Sequence, residues 1–494
     1  MKFIVLFSQN LKLDSMMKYF ANNLDDEFVF LSTHYLFENE RKSIKDNMKN
    51  SVFYTFADYL SDQEMAECDE KAYHNNISHT DYVDQIKKIK NDLIATKIIT
   101  NIGADEKIAF CDDLGIDVGI WKRHGFKIIR GEYYYENKHS LYERFRDQIA
   151  KNKTFVKIYR KIKPVNKYAY KSDEVSVSYF EGKKYIFLGN LNRIGYRLSI
   201  EFEKSKEECD RLNNGMYEDY NTCVYMTTWH EQEKCKIPDD PRYCVRWGQD
   251  GYLPPNYSHK DYFFKPNNVK YFCWDSLGTR LFENQGLPYE LIPFRNRLLL
   301  PNPIFPDNIC RVLVVASGSG DWTALKNRSD DDLLVAAFAK IAERYPNIEI
   351  TYRCHPTWIH PNHLGVNSIN RVYEFFQSLN LPNLKLSSNI PVANIENGFK
   401  LSFSRSSLEE DLKKADFVFG EHSISMIDAA FKKIPFASVN MTKRRDFFVG
   451  ISDFGFPHCT SIDDIEKVIE SISTETFQQG YLKAINNYNE MACE

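Results

Sequence analysis

The sequence predicts an α/β protein built from two doubly wound domains with a β-rich insertion in the first. Three observations carry this. Short apolar runs of strand length alternate with amphipathic stretches of helical spacing in the early part of the chain and again after residue 310. From about 155 to 265 that rhythm gives way to irregular strands and turns. Residues 288–308 then hold five prolines, which marks a linker between the two rhythmic parts.

Taken in order, Lys2–Phe7 is a short apolar strand, a helix follows near Ser15–Leu24, and Glu27–Leu31 is the next strand. Tyr82, Ile86, Ile89 and Leu93 fall on one face of a helix over 81–101. Lys107–Cys111 is a strand ending in Asp112-Asp113, and Phe126–Ile129 is a strand ending in Gly131-Glu132. Val175, Val177 and Tyr179 alternate, Glu181-Gly182 turns the chain, and Tyr185–Leu188 returns as a hairpin. Val269–Trp274 resumes the α/β rhythm, with a helix near 276–284. Beyond the prolines, Arg311–Ala316 starts a fresh strand, and Leu333, Leu334, Ala337, Phe338 and Ile341 make the following helix amphipathic. Ile348–Tyr352, Leu384–Leu386, Phe417–Phe419 and Pro435–Val439 are further strands. Ser407 and Glu410 have capping-box spacing ahead of Leu412. A last helix over 475–490 could cross back to the first domain.

The domain boundaries follow: 1–300 with the insertion at about 155–265, 309–475, and a crossing helix at 476–494. With 494 residues, 43% hydrophobic and 27% charged, the chain is composed like an ordinary globular protein. A net charge of −4 gives no support for nucleic acid as a general partner. Apolar runs such as Val312–Ala316 are strand-sized, far short of the ~20 residues that a bilayer requires. The opening MKFIVLF has too short an apolar region for a secretory signal, so the expected location is the cytoplasm. Eleven scattered cysteines without a CxxC pair read as free thiols, and no metal site is expected. Residues 151–171 carry eight Lys/Arg and no acid, a solvated basic face or a peripheral contact with the inner membrane or an anionic glycolipid.

Three motifs fall at the ends of strands in the second domain, where open α/β sheets bind ligands. Ser317-Gly318-Ser319-Gly320-Asp321 lets the backbone approach a phosphate; its plain alternative is a tight turn. Arg353-Cys354-His355-Pro356 sets a guanidinium fork and an imidazole two residues apart, able to face one anionic group; the alternative is a surface loop. Gly420-Glu421-His422-Ser423-Ile424-Ser425 offers hydroxyls and free amides at a helix start, or simply a cap. In the first domain Asp113, Glu132 and Asp250 are candidate acceptor-side acids or bases, each equally a solvated loop residue. Asp330-Asp331-Asp332 opens a helix, as the macrodipole favours.

GSGD, then RxHP, then GEHSISMIDAAFKKIPFAS resembles the nucleotide-binding half of bacterial capsule and lipopolysaccharide transferases. The His-Pro and downstream Ser motifs are similar to those of bacterial sialyltransferases. The Asp-to-RxHP spacing looks most like the CMP-dependent retaining β-Kdo transferases. The resemblance covers 310–440 well and the first half poorly. It implies a GT-B glycosyltransferase with two Rossmann-like domains, the first binding a glycan or glycolipid acceptor and the second a CMP-sugar such as CMP-Kdo. It implies Asp321 as a covalent nucleophile, and His355 with Arg353 holding and expelling the phosphate of CMP. Ser317, Gly318, Ser319, Gly320, Glu421, His422, Ser423 and Ser425 would line the nucleotide. No cofactor or metal is implied, the CMP-sugar being a substrate. Three alternatives stay open: an inverting transferase with Asp113 or Asp250 as base, a glycerophosphate transferase, and a non-catalytic scaffold of polysaccharide assembly.

Overall fold

The computed structural model describes residues 2–7, 13–32, 35–55, 64, 67, 89, 92–97, 100, 108–111, 118–130, 175–180, 182–188, 203–214, 220, 222–225, 243–246, 270–273, 289–291, 299–316, 329–354, 365–388, 403–420, 423, 425–441 and 452–493. The chain divides into two compact units. One comprises Met1–Gly131, Trp247–Lys265 and Tyr271–Glu494, the other Glu132–Arg246 and Pro266–Lys270.

The larger unit opens with strands β1 (Lys2–Phe7), β2 (Glu27–Ser32), β3 (Ser51–Thr55), β4 (Ile108–Cys111) and β5 (Lys127–Arg130). Helices α1 (Leu13–Tyr19), α2 (Glu38–Asn47) and α3 (Val118–Arg123) lie between them in sequence. The sheet runs β3-β2-β1-β4-β5, every pair parallel, which is the order of doubly wound nucleotide-binding sheets. Its core is unusually aromatic: Phe3, Phe20, Phe28 and Phe30 are each no more than 4% exposed, and Phe20 meets Phe28 edge-on at 5.1 Å.

The smaller unit holds the antiparallel hairpin β6 (Val175–Phe180) and β7 (Lys183–Leu188), turned at Gly182 with a φ of 76° that favours glycine. Strand β8 (Glu203–Lys204), helix α4 (Lys206–Asn213), β9 (Thr222–Tyr225) and β10 (Tyr243–Arg246) follow. The order is β10-β9-β7-β6-β8, with β7, β9 and β10 parallel. Ser205 caps α4, its Oγ accepting from Glu208 N at 3.1 Å, and the buried Glu208 pairs with Lys184 of β7. Strand β11 (Lys270–Cys273) pairs in parallel with β12 (Tyr289–Leu291).

The second sheet is formed by β13 (Arg311–Val315), β14 (Glu349–Arg353), β15 (Leu384–Ser388), β16 (Phe403–Arg405), β17 (Phe417–Gly420), β18 (Phe436–Val439) and β19 (His458–Cys459). Its helices are α5 (Ser329–Arg344), α6 (Gly365–Leu379), α7 (Leu408–Lys414), α8 (Ser425–Phe431), α9 (Ile462–Ser471) and α10 (Glu475–Cys493). The order β16-β15-β14-β13-β17-β18-β19 is wholly parallel and reverses direction of growth at β13. Strict alternation on β13 feeds both faces. Val312 and Val314 pack with α5, α6 and α9, whereas Leu313 and Val315 pack with α7, α8 and α10.

Helix α10, the expected crossing helix, lays Tyr481, Ala484, Ile485 and Tyr488 on the second face of this sheet. Tyr481 Oη accepts from Phe436 N at 2.9 Å, and burial pushes this phenol's pKa up. The proline-rich stretch is fastened where it is described. Leu300 exchanges two hydrogen bonds with the Asn489 amide at 2.8 and 3.0 Å, and Ile304 N donates to Lys433 O at 2.7 Å. No helix among the described residues is long and apolar enough to cross a membrane.

The two parallel sheets are joined by α2. Phe37, at its start, stacks on Phe375 of α6 at 4.4 Å and 3° and belongs to the core of the second sheet. Arg371 of α6 donates to Glu40 through Nε and Nη2 at 2.6 and 2.7 Å, to Tyr35 O at 2.9 Å and to Asp332 of α5 at 3.2 Å. Burial works against this guanidinium's charge, but Asp332 and Glu40 outweigh it and hold its pKa above the ordinary arginine value. Asp332 is therefore a buried ion-pair partner, 3% exposed, and not the dipole-facing surface acid that its place in a triple Asp suggests.

Candidate functional site

The reversal at β13 puts three strand ends side by side. In the parallel register Val315 is opposite Arg353 on one side and Gly420 on the other. Neighbouring strands are ~4.8 Å apart, so the outer two ends are separated by roughly 10 Å. These are the strands that lead into the Gly-rich, RxHP and GEHSIS motifs. The C-terminal edge of a doubly wound sheet at its reversal point is where strand ends part and leave a crevice.

Gly420 is required there by space. A Cβ on it would lie 2.7 Å from Met426 Cγ and 2.8 Å from Val315 Cγ2. Its lack of a side chain lets α8 close down on the sheet immediately after the strand. Ser423 is buried and caps α8 loosely, its Oγ accepting from Ser425 N at 3.3 Å and its carbonyl from Met426 N at 3.0 Å. Ser425 opens the helix and is partly exposed.

Arg353 is 7% exposed, lying against the start of α7. Its Nη1 donates to Asp411 Oδ2 at 2.5 Å, Ser406 O at 3.0 Å and Ser387 Oγ at 3.2 Å. Ser387 Oγ also donates to Asp411 Oδ2 at 2.5 Å, and Ser406 Oγ to Asp411 Oδ1. The sequence presents Arg353 as a whole fork free for an anion; the structure commits one nitrogen to a buried carboxylate and two serines. No sequence signal marks this network, because Ser387, Ser406 and Asp411 are dispersed along the chain and joined only by the β15–β16 pairing and the α7 cap. That cap has the predicted form: Ser407 Oγ accepts from Glu410 N at 3.2 Å and Glu410 Oε2 from Ser407 N at 2.7 Å.

Asp321 and His355 lie outside the described residues, as do Ser317, Gly318, Ser319, Gly320, Glu421 and His422 and the first-domain candidates Asp113, Glu132 and Asp250. The basic stretch 151–171 lies outside them too. Among the described residues no cluster of three or more His, Cys, Asp or Glu is placed to hold a metal ion.

No protein-family model matches the chain, and no curated protein sequence matches it. Among solved structures it is similar to a UDP-GlcNAc 2-epimerase from Neisseria meningitidis bound to UDP-GlcNAc (7% identity, TM-score 0.21, 99% of each chain covered). It is similar also to HepE of Anabaena in complex with UDP and glucose (9% identity, TM-score 0.24, 100% of this chain and 94% of that one). A third likeness is to MurG of Acinetobacter baumannii (8% identity, TM-score 0.21, 99% and 95% covered).

Proposed function

We propose that the chain is a GT-B glycosyltransferase that binds a nucleotide-activated sugar at the C-terminal edge of its second sheet, with a CMP-linked ulosonic acid such as Kdo as donor. The observation that carries the reading is the register of β14, β13 and β17, which aligns the three strand ends that lead into the motifs at one reversal point. The resemblance of those motifs to CMP-dependent transferases supplies the donor class. In this reading Arg353 and His355 take the phosphate, Ser423 and Ser425 bind phosphate or ribose, and Asp321 attacks the anomeric carbon. The covalent step forms a bond from a carboxylate oxygen to the sugar and breaks the bond to CMP, which leaves with the electron pair; the acceptor hydroxyl then displaces the carboxylate with net retention. A glycan or glycolipid of the bacterial surface is the acceptor.

Isothermal titration with CMP, CDP and UDP, followed by a panel of CMP-sugars scored for CMP release, tests this. Binding of CMP in preference to UDP and release from one ulosonic donor are expected. Absence of nucleotide binding would overturn it. Asp321→Asn should abolish turnover while CMP binding persists.

A further inference from the structure

We infer that Asp411 is a positioning residue: it grips Arg353 by Nη1 and so presents the opposite edge of the guanidinium, Nε and Nη2, to the donor's phosphate. The inference rests on the nucleotide-sugar reading above and assigns a function to a residue that the motifs do not contain.

A carboxylate can accept the arginine fork bidentately, through two parallel N–H···O bonds from two nitrogens. Here the grip is from one nitrogen alone. Among the described residues all of the guanidinium's hydrogen bonds leave from Nη1, to Asp411, Ser406 O and Ser387. Asp411 cannot swing to take the other edge, since both its oxygens are occupied: Oδ2 by Arg353 and Ser387, Oδ1 by the Ser406 hydroxyl. The two hydroxyl oxygens are 3.0 Å apart, each turning its proton to Asp411. Ser387 is fully buried, and Ser406 and Asp411 are 7% and 5% exposed, so the cage is closed on its inner side.

Nε and Nη2 are not buried orphans; among the described residues the buried side-chain polar atoms without a partner belong to other residues. The small accessible part of Arg353 therefore includes that edge. Arg353 is the last residue of β14, beside the end of β13 whose chain runs on into the Gly-rich motif. Two N–H donors fixed in a plane at that point match two oxygens of one phosphate. Because Asp411 neutralises the guanidinium, the attraction is directional and short-ranged, which favours a phosphate already seated over anions in general.

Binding of CMP and of cytidine, which lacks the phosphate, is measured on the full chain for wild type, Arg353→Lys, Asp411→Asn and Ser387→Ala. Lysine keeps the charge and loses the fork. Arg353→Lys should weaken CMP about tenfold or more and leave cytidine unchanged. Asp411→Asn should reproduce that selective loss although Asp411 touches no ligand. Ser387→Ala should show it to a smaller extent and keeps the test open should Asp411→Asn not fold. Wild-type CMP binding with an unchanged CMP-to-cytidine ratio in the Asp411 and Ser387 variants overturns this inference and leaves the nucleotide-sugar reading intact. Inorganic phosphate is the third probe. Phosphate binding that depends on Arg353 and Asp411, without any nucleotide binding, upholds the positioning role and overturns the donor. Binding of none of the three probes overturns both.

Discussion

Replacing Arg371 by methionine should unfasten helix α2 from the second sheet. Methionine keeps much of the packing over Phe37, whose ring lies 5.0 Å from the guanidinium carbon, and removes only the charge and its donors. What remains is Asp332 at 3% exposure with its cation gone, and Glu40 with its side chain 21% exposed. Removing one partner of a buried ion pair is strongly destabilising, by about 3 kcal/mol, because Asp332 and Glu40 lose the cation that they share. Most of that should come from Asp332, since Glu40 can turn to water. A chain of two compact units does not unfold in one step, so a global melting midpoint is the wrong assay. Amide hydrogen exchange of residues 38–47 reads the junction directly. A loss of 3 kcal/mol is on the order of a hundredfold faster exchange there. Adding Asp332→Asn should restore about 1–3 kcal/mol by removing a buried negative charge that has lost Arg371. Exchange in α2 within about threefold of wild type in Arg371→Met would refute the assignment of this cluster as the fastening.

Gly420→Ala should destabilise the second sheet by about 1–3 kcal/mol, because the new methyl group meets buried Met426 and Val315 at 2.7–2.8 Å; unaltered amide hydrogen exchange across residues 417–431 would count against it. Cys459, whose pKa burial pushes up to about 12, should resist alkylation of the native protein at pH 8 while exposed Cys310 is modified, as residue-resolved mass spectrometry can show. Asp464 is held down at about 2 by the Ser461 hydroxyl and, against an opposing effect of burial, by Thr460 N and Lys467. Its folded pKa lies below the unfolded value, so its contribution is present above about pH 4 and fades as pH falls towards 2. Screening and the size of a helix cap keep it to about 1 kcal/mol or less, and wild type and Asp464→Asn should differ at pH 6 and converge near pH 2.

Local signals were readable wherever one element's pattern sufficed. The hairpin at Glu181-Gly182, the Ser407–Glu410 cap and strands such as Arg311–Val315 follow from period, turn residues and capping side chains within a few positions. Short edge strands such as β16 and β19 were not legible, because two or three residues carry no period. The ion-pair clusters failed for a different reason. Arg371 lies four residues before Phe375 on the buried stripe of α6, and a charge on an apolar stripe is a signal that a partner exists. The partner's identity, Glu40, is 331 residues away in sequence and could only come from the docking of two sheets. Within the candidate site the motifs predicted which strand ends meet, and the strand order supplies the reason. Asp411 escaped because its function passes through another side chain.

The tie between Leu300 and Asn489 also sets a schedule for synthesis. The two residues are 189 positions apart. At 5–20 residues per second a ribosome needs roughly 10–40 s to travel from one to the other. Throughout that interval Leu313 and Val315, made early, wait without Tyr481 and Ile485 to cover them, and Phe305 lacks the ring of Tyr481 that it later meets at 5.6 Å. The first face of the sheet can begin to close as α5 and α6 emerge; the second face stays open to water, chaperones or another nascent chain until α10 has been made.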